Sequence, residues 1–373
     1  MLIIEDIKLD YSDVLIVPQR ADKSTSITSR RDVNITREFT FPHSKVSWRG
    51  VPIISANMDT VSTFNAAYVM AERMMLTAIH KFYTVDDWKV SLKLSTHNPT
   101  YIIPTFGIRE EDNQKMKDVF QAHRDCGKEQ MWLCLDVPNG YTETFLDAVK
   151  EARDLFPKLI IIAGNVATPN MAEAIIMAGA DVVKIGIGGG SGCTTRKMTG
   201  VGYPMLSCNI ECSNAVKGLG GWIVADGGCN EPADVIKALA SGDGFVMIGG
   251  MLSAHEENTS EENIVYDLIP DPSSTSSNSL KIQIPKFAKF YGMSSTTAME
   301  KYYVEIPDYK TSEGSTSLIP FRGKLSNTLN QITGGLNSAL TYVGATKLKH
   351  LNKRTTFIKV NNQRNKIYDN FNI

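Results

Sequence analysis

Eight short apolar runs, most of them rich in Val and Ile, recur along the chain at 51–58, 76–80, 101–107, 131–137, 159–166, 182–188, 221–228 and 244–250. Their starts lie 25, 25, 30, 28, 23, 39 and 23 residues apart, the length of a strand, a helix and two connections. Each run is continuously apolar rather than alternating, the pattern of strands buried on both faces of a parallel sheet. The intervals carry helix starts. Thr168-Pro169 puts a hydroxyl before a proline at the first helical position, and Asn230-Glu231-Pro232 is similar. Eight parallel βα units close most economically into a barrel, so the expected fold class is α/β, a (β/α)8 TIM barrel.

Two intervals are too long for a plain unit. One holds Gly186 to Pro204; the other runs for about 70 residues after the eighth run, until a helical pattern resumes near Leu325. They predict an extended catalytic loop after strand six and a long flap after strand eight. We therefore read 1–360 as one barrel domain with a flap insertion at about 251–322, and 361–373 as a polar tail. Within the flap, 271–279 has almost nothing to bury and is expected to be mobile.

The charge balance, 39 Lys+Arg against 40 Asp+Glu in 373 residues, argues against general electrostatic binding to nucleic acid or an anionic membrane. No apolar run approaches the ~18 residues of a membrane span. The first residues lack the basic stretch of a signal peptide, and six cysteines without a secretion signal read as reduced thiols. A cytoplasmic protein is expected. Cys208 and Cys212 are four apart, one turn of a helix, but no second Cys/His pair with zinc spacing accompanies them.

Active sites of parallel barrels sit at the carboxyl ends of the strands. The polar residues there are Asn57, Asp59, His80, Lys81, Asp136, Asn165, Asp226 and the glycines Gly228, Gly249 and Gly250. An aspartate in such a place is as often a helix cap as a ligand; convergence on one rim favours the site. The most informative segment is Gly186-Ile-Gly-Gly-Gly-Ser-Gly-Cys193-Thr-Thr-Arg196, whose glycines let backbone amides approach an anion. Most cysteines are small buried hydrophobes, and the other five are expected to be. Cys193, in a glycine loop beside Thr194, Thr195 and Arg196, is placed instead as a nucleophile. The double-glycine turns after runs seven and eight suit phosphate, and Asp226 suits ribose hydroxyls.

Together these pieces resemble the IMP dehydrogenase/GMP reductase family over roughly Asp10 to Lys359. The resemblance is carried by Leu9-Asp-Tyr-Ser-Asp-Val-Leu15, Pro52-Ile-Ile-Ser-Ala-Asn-Met-Asp59, Ala163-Gly-Asn-Val166 and Cys193-Thr-Thr-Arg196 with Thr199-Gly-Val-Gly-Tyr-Pro204. Ala225-Asp-Gly-Gly228, Met247-Ile-Gly-Gly250 and Tyr291-Gly-Met-Ser-Ser295 complete it. The reductase branch is the closer match. Only about 20 residues separate His80 from Tyr101, so the regulatory CBS pair usual in the dehydrogenases is absent. No arginine, the water-activating residue of a dehydrogenase flap, lies between Tyr291 and Phe321. His80-Lys-Phe-Tyr83 and Leu135-Asp-Val-Pro-Asn-Gly-Tyr141 also resemble reductase segments.

The resemblance implies NADPH-dependent reductive deamination of GMP to IMP and ammonia through a covalent cysteine thioimidate. It implies Cys193, Thr195, Glu313, Lys81 and Asp136 as catalytic residues. Asp226, Gly228, Gly249, Gly250, Met293, Ser294, Ser295, Ser312 and Gly314 would hold the nucleotide. Asn57, Lys81, Asp136, Gly188 and Gly190 would face the cofactor, and the carbonyls of Gly188, Gly190 and Cys193 would bind a monovalent cation, K+. A homotetramer is implied as well. Four positions depart from the family pattern: Gly189 stands for its usual proline, Gly192 for Val or Ile, Met205 for glutamine and Ser315 for lysine. Two other readings stay open, a dehydrogenase without CBS domains and a purine-nucleotide-binding barrel with weakened catalysis, which the departures would support.

Overall fold

The computed structural model describes residues 3–20, 29–94, 96–270, 281–303 and 311–361. Eight parallel strands close into a barrel: β1 Ile53–Ser55, β2 Leu76–Ile79, β3 Ile102–Phe106, β4 Trp132–Asp136, β5 Ile160–Val166, β6 Val182–Ile185, β7 Trp222–Asp226 and β8 Gly244–Ile248. Each pairs with its neighbours in chain order, and β8 returns to β1. The strands are shorter than the apolar runs, because the ladder stops where the side chains turn polar or glycine turns the chain. Thus β4, and β7 from Ile223 on, are buried up to a half-buried final aspartate, Asp136 and Asp226. After β6, Gly186 has φ +134°, a conformation that glycine adopts without steric cost.

The outer layer comprises α1 Phe64–Ala71, α2 Val85–Lys93, α3 Glu110–Asp125, α4 Glu143–Leu155 and α5 Pro169–Met177. After β6 come a five-residue helix, α6 Thr195–Thr199, and then α7 Met205–Lys217, followed by α8 Pro232–Ser241. Pro169 and Pro232 stand in the first turns of α5 and α8 as expected; the Thr168 hydroxyl, however, makes no cap and pairs with Tyr141 Oη at 2.9 Å.

Between β8 and the last outer helix the chain builds a three-stranded antiparallel sheet, β9 Ile264–Pro270, β10 Lys281–Tyr291 and β11 Thr316–Pro320, with α9 Thr296–Tyr302 between the last two strands. The expected mobile stretch 271–279, and all of the expected tail but Asn361, lie outside the described residues. The helical pattern resumes where the sequence places it, as α10 Leu325–Tyr342, whose buried Leu325, Leu329, Ile332, Leu336 and Leu340 form one stripe at helical spacing.

The amino end of the barrel is closed. Arg37–Thr40 pairs with Ser47–Gly50 in a hairpin that pushes Phe39, Phe41 and Trp48 against Trp132 and Phe245, with Phe39 stacked on Phe245 at 4.4 Å between centroids. Fully buried Asp181 ties this plug to the barrel. Its carboxylate accepts from the His43, Ser44 and Ile161 amides and from Arg153 Nη2 at 2.7 Å. The carboxyl end is thus left as the open one. Among the described residues no helix is long and apolar enough to cross a membrane.

Candidate active site

Cys193 lies half-buried in the loop that leaves β6. Gly188, at φ +76°, turns this loop so tightly that a Cβ there would stand 2.6 Å from Arg196 Cγ, and Arg196 then clamps the loop through Tyr203 O at 2.7 Å and Asp10 Oδ2 at 3.1 Å. The Cys193 thiol donates to Thr195 Oγ1 at 3.1 Å, and that hydroxyl donates to Glu313 Oε2 at 2.6 Å. The carboxylate comes from the insertion, and backbone bonds stitch the two segments together. Thr194 N–H donates to Glu313 O at 2.7 Å and Ser315 N–H to Gly192 O at 2.8 Å. Gly292 N–H donates to Ser315 O, and Glu313 N–H to Ser294 O. The result is a continuous proton path from a thiol to a carboxylate. Of the other cysteines, Cys134, Cys208, Cys212 and Cys229 are buried as expected, but Cys126, at the end of α3, is exposed.

A second network occupies the strand ends. Lys184, buried in β6, sends its ammonium to Asp136 Oδ1 at 2.7 Å, Asp226 Oδ2 at 2.6 Å and Asn165 Oδ1 at 2.8 Å. Asn57 Nδ2 donates to Asp136 Oδ2 at 3.0 Å, and Asn165 Nδ2 to Asp226 Oδ2 at 2.9 Å. Burial alone would raise the Asp136 carboxyl, but the Lys184 ammonium, helped by Asn57 and Lys81, outweighs it and holds the group below the ordinary carboxylate range. Lys184 itself is held above its ordinary value, the two carboxylates overcoming the cost of burial. The sequence reading missed Lys184; the signal available was a lone charge inside an apolar strand, which must be paired.

Asp59 and His80, read as rim candidates, are structural. Asp59 Oδ2 accepts from Tyr291 and Tyr302 Oη, each at 2.5 Å, and from Lys301 Nζ at 3.2 Å, so it anchors the insertion. Tyr302 also stacks on Phe82 at 3.6 Å. His80 is buried against Tyr83, and burial lowers its pKa to about 4, so it is neutral at pH 7.

The remaining expected residues fall into place unevenly. Lys81 stands at the end of β2 in no ion pair among the described residues, its ammonium 5.8 Å from the Phe82 ring centre. Gly227 and Gly228 are left-handed, but the Gly228 N–H is already committed to Gly189 O at 2.6 Å, and a Cβ at Gly228 would meet Tyr11 at 3.1 Å and Met205 at 3.2 Å. Gly249 and Gly250 lead from β8 into a short 3-10 turn. That turn is fixed by Arg322, also missed, whose Nη1 donates to Gly250 O at 2.8 Å and Met251 O at 2.7 Å. Ser294 is exposed and Met293 half-buried. Ser295 is buried, with its hydroxyl capping α9 at Ala298 N. Ser312 Oγ bonds the carbonyls of Ser294 and Gly314, and Gly314 bridges to both Cys193 and Ser295.

Comparison with known proteins gives the family. Residues 8–366 match the IMP dehydrogenase / GMP reductase domain. The chain is 46% identical to the GMP reductases of Escherichia coli O81 (strain ED1a) and Shigella boydii serotype 4 (strain Sb227), over 99% of its own length and the whole of theirs. The chain belongs to the IMP dehydrogenase/GMP reductase family.

The positions at which it departs from the usual pattern of the IMP dehydrogenase/GMP reductase family are accommodated in space. A Cβ at Gly189 would lie 2.7 Å from Cγ and Sδ of Met205, so Met205, itself fully buried, fills the volume a proline ring would take. At Gly192 a Cβ would stand 3.2 Å from Phe290 Cε1; the ring at the end of β10 occupies the place of a branched side chain. Ser315 bonds Gly192 O through both its N–H, at 2.8 Å, and its hydroxyl, at 3.4 Å, and its carbonyl accepts from Gly292.

Proposed function

We infer that this chain is a GMP reductase that turns GMP, with NADPH and two protons, into IMP, ammonium and NADP+. The observation that carries the reading is the Cys193–Thr195–Glu313 chain of 3.1 and 2.6 Å. Cys193 loses its proton along this chain, and its sulfur forms a bond to the purine carbon that bears the exocyclic amine. The same relay then runs backwards: Glu313, through Thr195, protonates the amine, which departs as ammonia. Positioned proton transfer of this kind contributes about 10²–10⁴-fold. A thioimidate between Cys193 and the purine remains, and splitting the substitution in two replaces one hard step with two moderate ones. Bound NADPH, held beside Asn57, Lys81 and Asp136, would supply hydride to that carbon, and Cys193 would be released as thiolate as the carbon–sulfur bond breaks.

Binding follows from the second network. Asp226 accepts from the ribose hydroxyls, and the turns at Gly228, Gly249 and Gly250, with Met293, Ser294, Ser295, Ser312 and Gly314, enclose the phosphate and base. Asn57 and Asp136, paired as amide and carboxylate, with the Lys81 ammonium near enough to act on Asp136, fit a nicotinamide carboxamide, with Gly188 and Gly190 alongside. The Gly190 carbonyl is engaged by Cys193 N–H at 3.0 Å. A K+ ion on the carbonyls of Gly188, Gly190 and Cys193 would therefore share that acceptor with the Cys193 amide. We take residues 1–360 as one catalytic unit, acting in the cytoplasm as a homotetramer. The dehydrogenase reading needs a flap base, and Lys301 is instead engaged in ion pairs with Asp59 at 3.2 Å and Glu262 at 3.4 Å.

Purified protein with GMP should consume NADPH, read by absorbance, and Cys193→Ala should abolish this. Glu313→Gln should slow deamination at least about 10²-fold while leaving hydride exchange between IMP and NADP+ largely intact. XMP formed from IMP and NAD+, or equal loss of both activities in Glu313→Gln, would overturn the assignment.

A further inference from the structure

We propose that Lys184 is a positioning residue of this site, whose charge lets Asp136 and Asp226 stand ionised side by side and face two different ligands at once. The inference rests on the reading above, in which Asp226 takes the nucleotide ribose and Asp136 the cofactor side. Lys184 projects from β6 at 4% exposure, and its ammonium meets three acceptors, one each from β4, β5 and β7, between 2.6 and 2.8 Å. An ammonium has three donors and no acceptor, so the group is saturated and its position fixed. Asn57 from the end of β1 and Asn165 from β5 complete the shell on the carboxylates. Opposite Lys184 in the β5 ladder stands Gly164; a Cβ there would come within 2.8 Å of Lys184 Cβ, so the strand pairing itself makes room for the lysine.

The charge matters more than the bulk. Both carboxylates lie within 2.7 Å of one nitrogen in a half-buried site, and two such acids without a cation between them cannot both stay ionised: one takes up a proton. The other titratable groups nearby do not substitute. The thiols of Cys134, on β4, and Cys229, after β7, are pushed up by burial, Cys134 to about 12. Lys81 acts on Asp136 only as a weaker, more distant cation. Removing the Lys184 charge therefore brings one carboxyl into the working pH range. A ligand that needs that carboxylate must then compete with a proton.

The test is the pH profile of kcat/KM for NADPH oxidation with GMP, from pH 5.5 to 9, in wild type, Lys184→Arg and Lys184→Met. The free-enzyme ionisations appear in this parameter. Lys184→Met should lose about 10²-fold at pH 6 and regain at least ten-fold of it by pH 9, whereas Lys184→Arg keeps the wild-type shape. A loss in Lys184→Met that is the same at every pH, or no loss, overturns the proposal, because a purely structural role adds no ionisation. Should Lys184→Met fail to fold, the double variant Lys184→Met/Asp136→Asn carries a single carboxylate and no longer needs the cation. By calorimetry it should bind GMP within about three-fold of Asp136→Asn alone; a ten-fold weaker affinity overturns the proposal equally. If the wild type consumes no NADPH with GMP, the functional reading fails instead. The calorimetric pH dependence of GMP binding then decides on Lys184 by itself.

Discussion

The sharpest consequence of the loop's packing concerns Gly189 and Met205. The Met205 side chain threads between glycines of two loops: Cβ atoms built at Gly189, Gly228 and Gly186 would stand 2.7, 3.2 and 3.2 Å from it. Gly189 is not in the left-handed region, so Gly189→Ala tests packing and not backbone strain. The added methyl overlaps the middle of a wholly buried side chain, and overpacking of this kind costs about 1–3 kcal/mol; the flexibility of methionine favours the lower half. Met205→Ala alone leaves a cavity and costs about 2–5 kcal/mol. In the double variant the alanine methyl enters the vacated space, so the combined loss should fall short of the sum by about 1–2 kcal/mol, a coupling typical of residues in contact. Urea unfolding of the four proteins, with midpoint and slope fitted separately, measures the cycle. Additivity within about 0.5 kcal/mol would refute the argument that the two departures compensate each other.

Two further outcomes follow from buried charge. Asp181→Ala strips four donors, including the Arg153 guanidinium, of their acceptor and should cost about 3–5 kcal/mol, read as a lowered unfolding midpoint. Stability should also fall with acid, because burial holds His97 at about 3 and His123 and His255 at about 4. Above pH 6.5 both folded and unfolded chains keep these rings neutral; between 6.5 and 4 only the unfolded chain takes up the protons, so each ring removes about 1.4 kcal/mol per pH unit. His97→Gln should flatten the slope of unfolding free energy against pH by that amount between pH 6 and 5, and an unchanged slope contradicts the assignment.

The barrel is legible because its strands are buried on both faces and evenly spaced, so the apolar runs announce themselves without help from tertiary context. The glycine loop with Cys193 is legible for a similar reason, since its composition is local. The insertion is not: β10 is exposed over its first four residues and buried only in part beyond them, carries no continuous apolar run, and reads as loop. The plug is hidden too, because Phe39, Phe41 and Trp48 acquire meaning only against Trp132 and Phe245, far along the chain. Lys184 belongs to the same class. Its partners lie 48 and 42 positions away, at Asp136 and Asp226, and nothing near it in sequence states that its charge is shared. The departures at Gly189 and Gly192 mislead when taken singly, because the space that a missing side chain leaves is a property of the pair that fills it.

The two networks differ in what holds them, and the difference bears on how the reaction is ordered. The Lys184 cluster is built on five strand ends or the residues just after them, whose backbone ladders fix each carboxylate before any ligand arrives. The proton relay is built on a loop and an insertion. Glu313 reaches Thr195 only because the insertion is seated, through Asp59 on Tyr291 and Tyr302, Phe290 against Gly192, and the short backbone bridges at Gly314. On this reading the groups that recognise nucleotide and cofactor are rigid, while the acid that expels the amine depends on a docked segment. Proton delivery is then conditional on closure over the purine, and a thiolate exposed without the insertion in place has no route to release ammonia.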